Sequence, residues 1–195
     1  MESNKILTML EETGGMMKGH FLLTSGKHSD IYIEKFRILE NPNALDSVCE
    51  EMSKIVESKN IELVLGAAIG GILISGGVGR YLNVRHIFSE RKNEKMVLRR
   101  GFSILKGQRI LIVEDIITTG GSVFELIELA QQNGAEVIHV VNLVDRSFGG
   151  IDFKVPSTAL LNIPSESWEP NQCPLCKKGE ALAQRGRTGK EMDLV

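Results

Sequence analysis

The chain has 195 residues, 42% hydrophobic and 25% charged, with Lys+Arg 23 against Asp+Glu 25 and a formal net charge of -2. This is globular composition, long enough to bury roughly 70% of the unfolded surface in one domain without disulfides or a structural metal, and its near-neutral balance argues against a nucleic-acid coat or a membrane-surface protein. With no apolar run near the ~20 residues of a spanning helix and no signal-peptide pattern in MESNKILTMLEETGG, the expectation is a soluble, cytoplasmic protein with neither nucleic-acid nor membrane partners.

The spacing of Ile6, Leu7 and Leu10 predicts an amphipathic helix over 3–12, stopped by Gly14-Gly15. Residues 19–38 read as a small hairpin-like element, with Gly26 at a turn and Ile31 and Ile33 alternating around Tyr32. Asn41-Pro42 opens a helix to about Lys59, with Pro42 where a first turn tolerates it. Apolar strands are then expected at 63–65, 84–88, 109–113 and 137–143, with helices from Gly70-Gly71 to near Tyr81 and from Ser122 to Asn133. Strands alternating with helices at this spacing imply βαβ units, hence an α/β, doubly wound fold with a mainly parallel twisted sheet flanked by helices. Residues 90–107 show little apolar periodicity and are expected to form a structureless, functional connection. The tail after Ser165 reads as a short docked segment, anchored by Trp168, followed by a frayed end.

The most informative stretch is Ile110-Leu111-Ile112-Val113-Glu114-Asp115-Ile116-Ile117-Thr118-Thr119-Gly120-Gly121-Ser122. An apolar strand is expected to end in two acids, pass through a Gly-rich turn and enter a helix. Ligands of open α/β sheets sit outside the carboxyl ends of the strands. Gly120 and Gly121 allow close backbone approach, so amide groups, the hydroxyls of Thr118, Thr119 and Ser122, and a helix N-terminus can hold a phosphate. Two carboxylates would repel that phosphate, but they suit ribose hydroxyls and positive charge developing on a ribose ring. A ribose 5-phosphate ligand reconciles the two features.

Glu114 to Ser122 resembles the phosphoribosyl diphosphate signature of the type I phosphoribosyltransferases, and the chain from about Gly19 to the Cys173 region is similar to the members that act on orotate. Phe21 to Asp30 resembles the family's N-terminal hood over the pyrimidine, Ser89 to Lys95 its mobile catalytic loop, and Asp145-Arg146 its orotate-contacting strand end. The resemblance implies a Mg²⁺-dependent transfer from phosphoribosyl diphosphate to orotate, giving orotidine 5′-monophosphate and pyrophosphate, with a hood over 1–40, a core over 41–164 and an extension over 165–195. It places Arg91, Lys92, Lys95 and residues Glu114, Asp115, Ile116, Ile117, Thr118, Thr119, Gly120, Gly121 and Ser122 on phosphoribosyl diphosphate, and Thr118 and Arg146 on orotate. Lys95, Glu114 and Asp115 are the catalytic candidates. No direct protein ligation of a metal is expected; Mg²⁺ would arrive with the diphosphate, beside Asp115. The 90–100 loop would act partly in a neighbouring subunit, which implies a homodimer.

Independent chemistry agrees: pyrophosphate loss from a sugar carbon passes through an oxocarbenium-like state, favouring negative groups at the ribose and positive groups at the leaving diphosphate. The segment from Glu90 to Arg100 carries five cations and two acids, a local charge of +3. Where many relatives carry lysines, this chain has Thr24 and Gly70, so backbone amides of Ala67-Ala68-Ile69-Gly70-Gly71 are expected to bind the diphosphate, with Arg99 and Arg100 as compensating cations. Val97 stands where many relatives place a histidine. Cys173-Pro174-Leu175-Cys176 is a single CxxC with His20, His28, His86 and His139 all far upstream, and it is read as a packed thiol pair, a metal site shared across a dimer being the lesser reading. Two other functions stay in view: a purine or other base phosphoribosyltransferase, and a non-catalytic sensor of phosphoribosyl diphosphate.

Overall fold

The computed structural model describes residues 2–23, 25–147, 150–164 and 166–184. Thr24 and the expected frayed end beyond residue 184 lie outside the described residues.

Helix α1 (Glu2–Glu12) leads into a hairpin of β1 (Met16–Leu22) and β2 (His28–Ile33), then α2 (Lys35–Leu39) and α3 (Pro42–Val56). The Asn41 side chain accepts hydrogen bonds from the amides of Asn43 and Ala44, both at 3.1 Å, satisfying donors that α3 would leave open. A 3₁₀ turn ends at Asn60 in the left-handed region, where asparagine is tolerated.

The core follows: β3 (Leu63–Ala67), α4 (Gly70–Leu82), β4 (Arg85–Lys92), β5 (Lys95–Leu98), β6 (Arg109–Ile117), α5 (Gly121–Gln132), β7 (Glu136–Asp145) and β8 (Ser157–Asn162). They form one six-stranded sheet in the order β5-β4-β3-β6-β7-β8, parallel except for the β4–β5 pair. Alternate side chains of its central strands enter two apolar cores. Val64, Leu111, Val113, Val141 and Leu143 pack with α1 to α4, while Leu63, Leu65, Ile110, Ile112 and Val140 pack with α5, Ile104 and Phe153. Near-continuous apolar runs are what a sheet covered on both faces requires.

The connection after the second core strand differs from the sequence expectation. Residues 85–98 form a hairpin whose turn is Asn93-Glu94, both at positive φ (49° and 65°), as a two-residue turn requires. At the sheet edge its charged side chains stand in solvent without cost to the core, which is why apolar periodicity failed to reveal the strands. Strand β6 also runs past both acids, which are buried within it.

A second sheet joins the two ends of the chain. Two-residue strands β9 (Ser167–Trp168) and β10 (Ala183–Gln184) flank the N-terminal hairpin in the order β10-β1-β2-β9. Between them lies the short helix α6 (Pro174–Lys177). Trp168 is half-buried and pairs in register with His28.

Candidate active site

The site forms where β6 and β7 end and α4 and α5 begin. A cavity of about 230 Å³ is lined by Arg91, Glu114, residues 116–123 and Glu125. Residues 118–120 make the turn into α5, with Gly120 at φ 76° and no room for a side chain, because a Cβ there would meet Phe153 at 2.8 Å. The first amides of α5 lack intrahelical partners, so this end of the cavity favours an anion.

Alternation along β6 sends the two acids to opposite faces of the sheet. Glu114, 7% exposed, lies on the cavity wall at the start of α5. Burial, then the neighbouring Asp115 charge, pushes its carboxyl up to about 8. Asp115, 3% exposed, faces the start of α4. Its Oδ1 accepts from the Ile116 amide at 2.6 Å. Its Oδ2 accepts no hydrogen bond, yet the Lys35 ammonium stands 2.7 Å away, out of line for one. A Cβ on Gly70 would collide with that same oxygen, so the absence of a side chain at position 70 is what admits the carboxylate. The ammonium of Lys35 would lie only 3.3 Å from such a Cβ. A cation therefore stands beside Gly70, and it comes from α2.

Arg99 and Arg100 do not fill that role. Both pair with Glu90, at 3.2 and 2.6 Å, on the edge hairpin. Of the three expected diphosphate cations, Arg91 lines the cavity, held by Glu125 at 2.8 Å and by the Glu94 carbonyl at 2.6 Å. Glu125 also accepts from the Met96 amide at 3.2 Å, so it anchors both strands of the hairpin. Lys92 and Lys95 pair in register at the exposed tip, outside the cavity lining.

Thr118 and Arg146 meet at adjoining strand ends, the Arg146 amide donating to the Ile117 carbonyl at 2.8 Å. The guanidinium reaches the hood, donating to the Ile31 carbonyl at 3.4 Å. Burial lowers its pKa from the ordinary guanidinium value, against the raising effect of the Asp30 charge. Sequence reasoning missed Lys35 and Glu125. Neither carries a local signal; each matters through a contact that spans the fold.

A phosphoribosyl transferase domain model matches residues 36–174. The chain is 45% identical over 184 residues to a protein of Thermotoga maritima named orotate phosphoribosyltransferase, covering 94% of this chain and 98% of that one. Among solved structures, orotate phosphoribosyltransferase from Aeropyrum pernix is 25% identical with a TM-score of 0.66, covering 81% of this chain and 93% of that one. UMP synthase of Leishmania donovani gives 26% and a TM-score of 0.70 over 83% of this chain, which spans 36% of that protein. The chain belongs to the phosphoribosyl transferase domain family and has the type I phosphoribosyltransferase fold. Within that family, the Thermotoga maritima relative, matched over nearly its full length, bears the orotate name.

The raised Glu114 carboxyl has a consequence for stability. A carboxyl with a folded-state value above its unfolded one favours the fold below about pH 4.5, its ordinary value, and loses that contribution as pH rises through about 8. Chemical denaturation of wild type should therefore show stability falling over this interval, and Glu114→Gln should remove most of the fall. An unchanged slope in the variant would mean that Glu114 ionises without penalty.

Proposed function

We propose that this chain transfers ribose 5-phosphate from phosphoribosyl diphosphate to orotate, releasing pyrophosphate and forming orotidine 5′-monophosphate on the route to UMP. The observation that carries the reading is the joining, in one strand-to-helix unit, of buried acids with a phosphate cradle, beside a half-buried arginine under the hood. The near full-length relatives named orotate phosphoribosyltransferase support the choice of base.

The 5-phosphate sits on the amides and hydroxyls of residues 118–122, at the N-terminus of α5. Glu114 faces the ribose hydroxyls from the cavity wall, and the diphosphate lies toward Gly70, where Asp115 and Lys35 stand. Asp115 Oδ2, buried and accepting no hydrogen bond, is a hard oxygen donor on the diphosphate side. It fits a Mg²⁺ that would keep most of its waters and arrive with the diphosphate. The chemistry such an ion would supply there is neutralisation of charge growing on the leaving pyrophosphate. Lys35 shields the same charge from the α2 side, and the acids stabilise the cationic sugar as the bond to pyrophosphate breaks.

Orotate is a planar carboxylate, a shape that a guanidinium pairs with bidentately. Arg146 takes that carboxylate and Thr118 adds a second contact. The exposed Lys92 and Lys95 reach a second copy's diphosphate, making the active form a cytoplasmic homodimer. Exposed Phe36, Ile69 and Leu73, on α2 and around the start of α4, offer apolar surface for that contact. This working unit comprises the hood (1–40), the core (41–164) and the extension (165–195).

Purified protein with Mg²⁺ and phosphoribosyl diphosphate should consume orotate, followed by ultraviolet absorbance, and should leave adenine and other purines untouched; turnover of purines alone would overturn the assignment. Arg146→Ala should raise the KM for orotate by at least about tenfold while leaving that for phosphoribosyl diphosphate nearly unchanged, whereas equal losses would make Arg146 structural. Lys95→Ala should lower kcat by roughly 10² to 10³ with the fold intact, as expected for lost stabilisation of leaving-group charge. An unchanged rate would remove Lys95 from the mechanism.

A further inference from the structure

The CxxC of the tail does not stand alone. Folding brings Cys173 and Cys176, the first and fourth residues of the tail's CPLC segment, against His20 of β1 and His28 of β2. One ligand-type atom from each of the four lies within 4.8 Å of every other. His20 Nε2 is 2.9 Å from His28 Nδ1, 3.5 Å from the Cys173 sulfur and 3.6 Å from the Cys176 sulfur, and the Cys176 sulfur is 3.2 Å from His28 Nδ1. Zinc bonds of about 2.0–2.1 Å to nitrogen and about 2.3 Å to sulfur imply tetrahedron edges of about 3.3 Å between nitrogens and about 3.6 Å between nitrogen and sulfur. The four distances, 2.9–3.6 Å, equal those edges or fall slightly below them. Among the described residues, no other group of three or more potential ligands converges in this way.

We propose that His20, His28, Cys173 and Cys176 bind a structural zinc ion, within one chain, that clips the C-terminal segment onto the N-terminal hairpin. Two sulfurs and two imidazole nitrogens in four-coordinate array are a zinc donor set. The surroundings are built for it. His20 Nδ1 lies 2.9 Å from the Glu180 carbonyl, a contact in which the nitrogen must carry the proton. That fixes the tautomer and leaves the Nε2 lone pair aimed at the other three ligands, the usual arrangement behind a metal-bound histidine. Three of the ligands are buried, and Cys176 is exposed, which leaves a route for the ion.

The fold also has use for such a clip. Strands β9 and β10 contribute only two residues each to the sheet with the hairpin, too few to hold a tail by backbone bonding alone. Polar ties across the junction are modest: Ser29 to the Glu166 carbonyl at 3.1 Å and an exposed Lys27–Glu169 pair at 3.5 Å. A metal joining positions 153 residues apart constrains the unfolded chain and the docked tail together. The sequence reading of a packed thiol pair overlooked it because both histidines lie in a hairpin at the opposite end of the chain.

The test is metal analysis of the untagged full-length chain, alone and after incubation with excess zinc and removal of free ion. Wild type and Cys49→Ser should each hold one zinc per chain, and Cys173→Ser/Cys176→Ser less than about a tenth. Trypsin should cut the double variant at Lys177 and Lys178 at least about tenfold faster than wild type. Wild type that binds no zinc after incubation, or a folded double variant that keeps a full equivalent, would overturn the proposal. If the double variant does not fold, the wild type decides: replacing zinc with cobalt should give the intense absorption of tetrahedral thiolate-bound cobalt, and its absence would overturn the site.

Discussion

The active site is organised around the placement of a buried carboxylate against a glycine. Asp115 emerges from the central strand on the face where α4 begins, and its Oδ2 occupies space that any side chain at position 70 would need. A carboxylate this buried requires a compensating charge, since leaving one unpaired costs several kcal/mol. Lys35, at the head of α2, supplies it at 2.7 Å. Three elements distant in sequence are thereby locked at one corner: the start of α2, the start of α4 and the carboxyl end of β6. Gly70 itself brings no charge to this corner; the cation beside it is delivered from α2.

The opposite face of β6 carries the complementary arrangement. Glu114 has the cavity before it, the helix N-terminus beside it and Arg91 across it. Burial disfavours its charged form, so a ligand that brings hydroxyl donors or a cation to it would pull the raised pKa back down and release a proton on binding. Negative and positive groups are thus distributed around the strand end rather than pooled. Near-neutral net charge conceals this division.

Much of the core was legible because its signals are local. The apolar runs of β3, β6 and β7 pointed directly to the α/β class, and Gly120-Gly121 to the tight turn into α5. What escaped depends on distant contacts or on edge positions. Strands β4 and β5 carry charges that only a sheet edge tolerates, and their turn residues Asn93 and Glu94 gave no glycine signal. Lys35 reads as an ordinary helix-start lysine until Gly70 and Asp115 are beside it. His20 and His28 acquire meaning only when the tail docks. The two acids read as neighbours in sequence and proved to face opposite sides of the sheet, a consequence of strand alternation applied one residue further than the expected strand end.

The account stands most directly on where phosphoribosyl diphosphate lies, and a crystal structure of the chain with this ligand and Mg²⁺ would test it. The 5-phosphate should accept hydrogen bonds from the amides of residues 118–122, at about 2.7–3.2 Å. The diphosphate should lie against the backbone of residues 68–71 within the same reach of the Lys35 ammonium. A 5-phosphate held elsewhere, or a diphosphate drawn to Arg99 and Arg100 with Lys35 still on Asp115 alone, would contradict it.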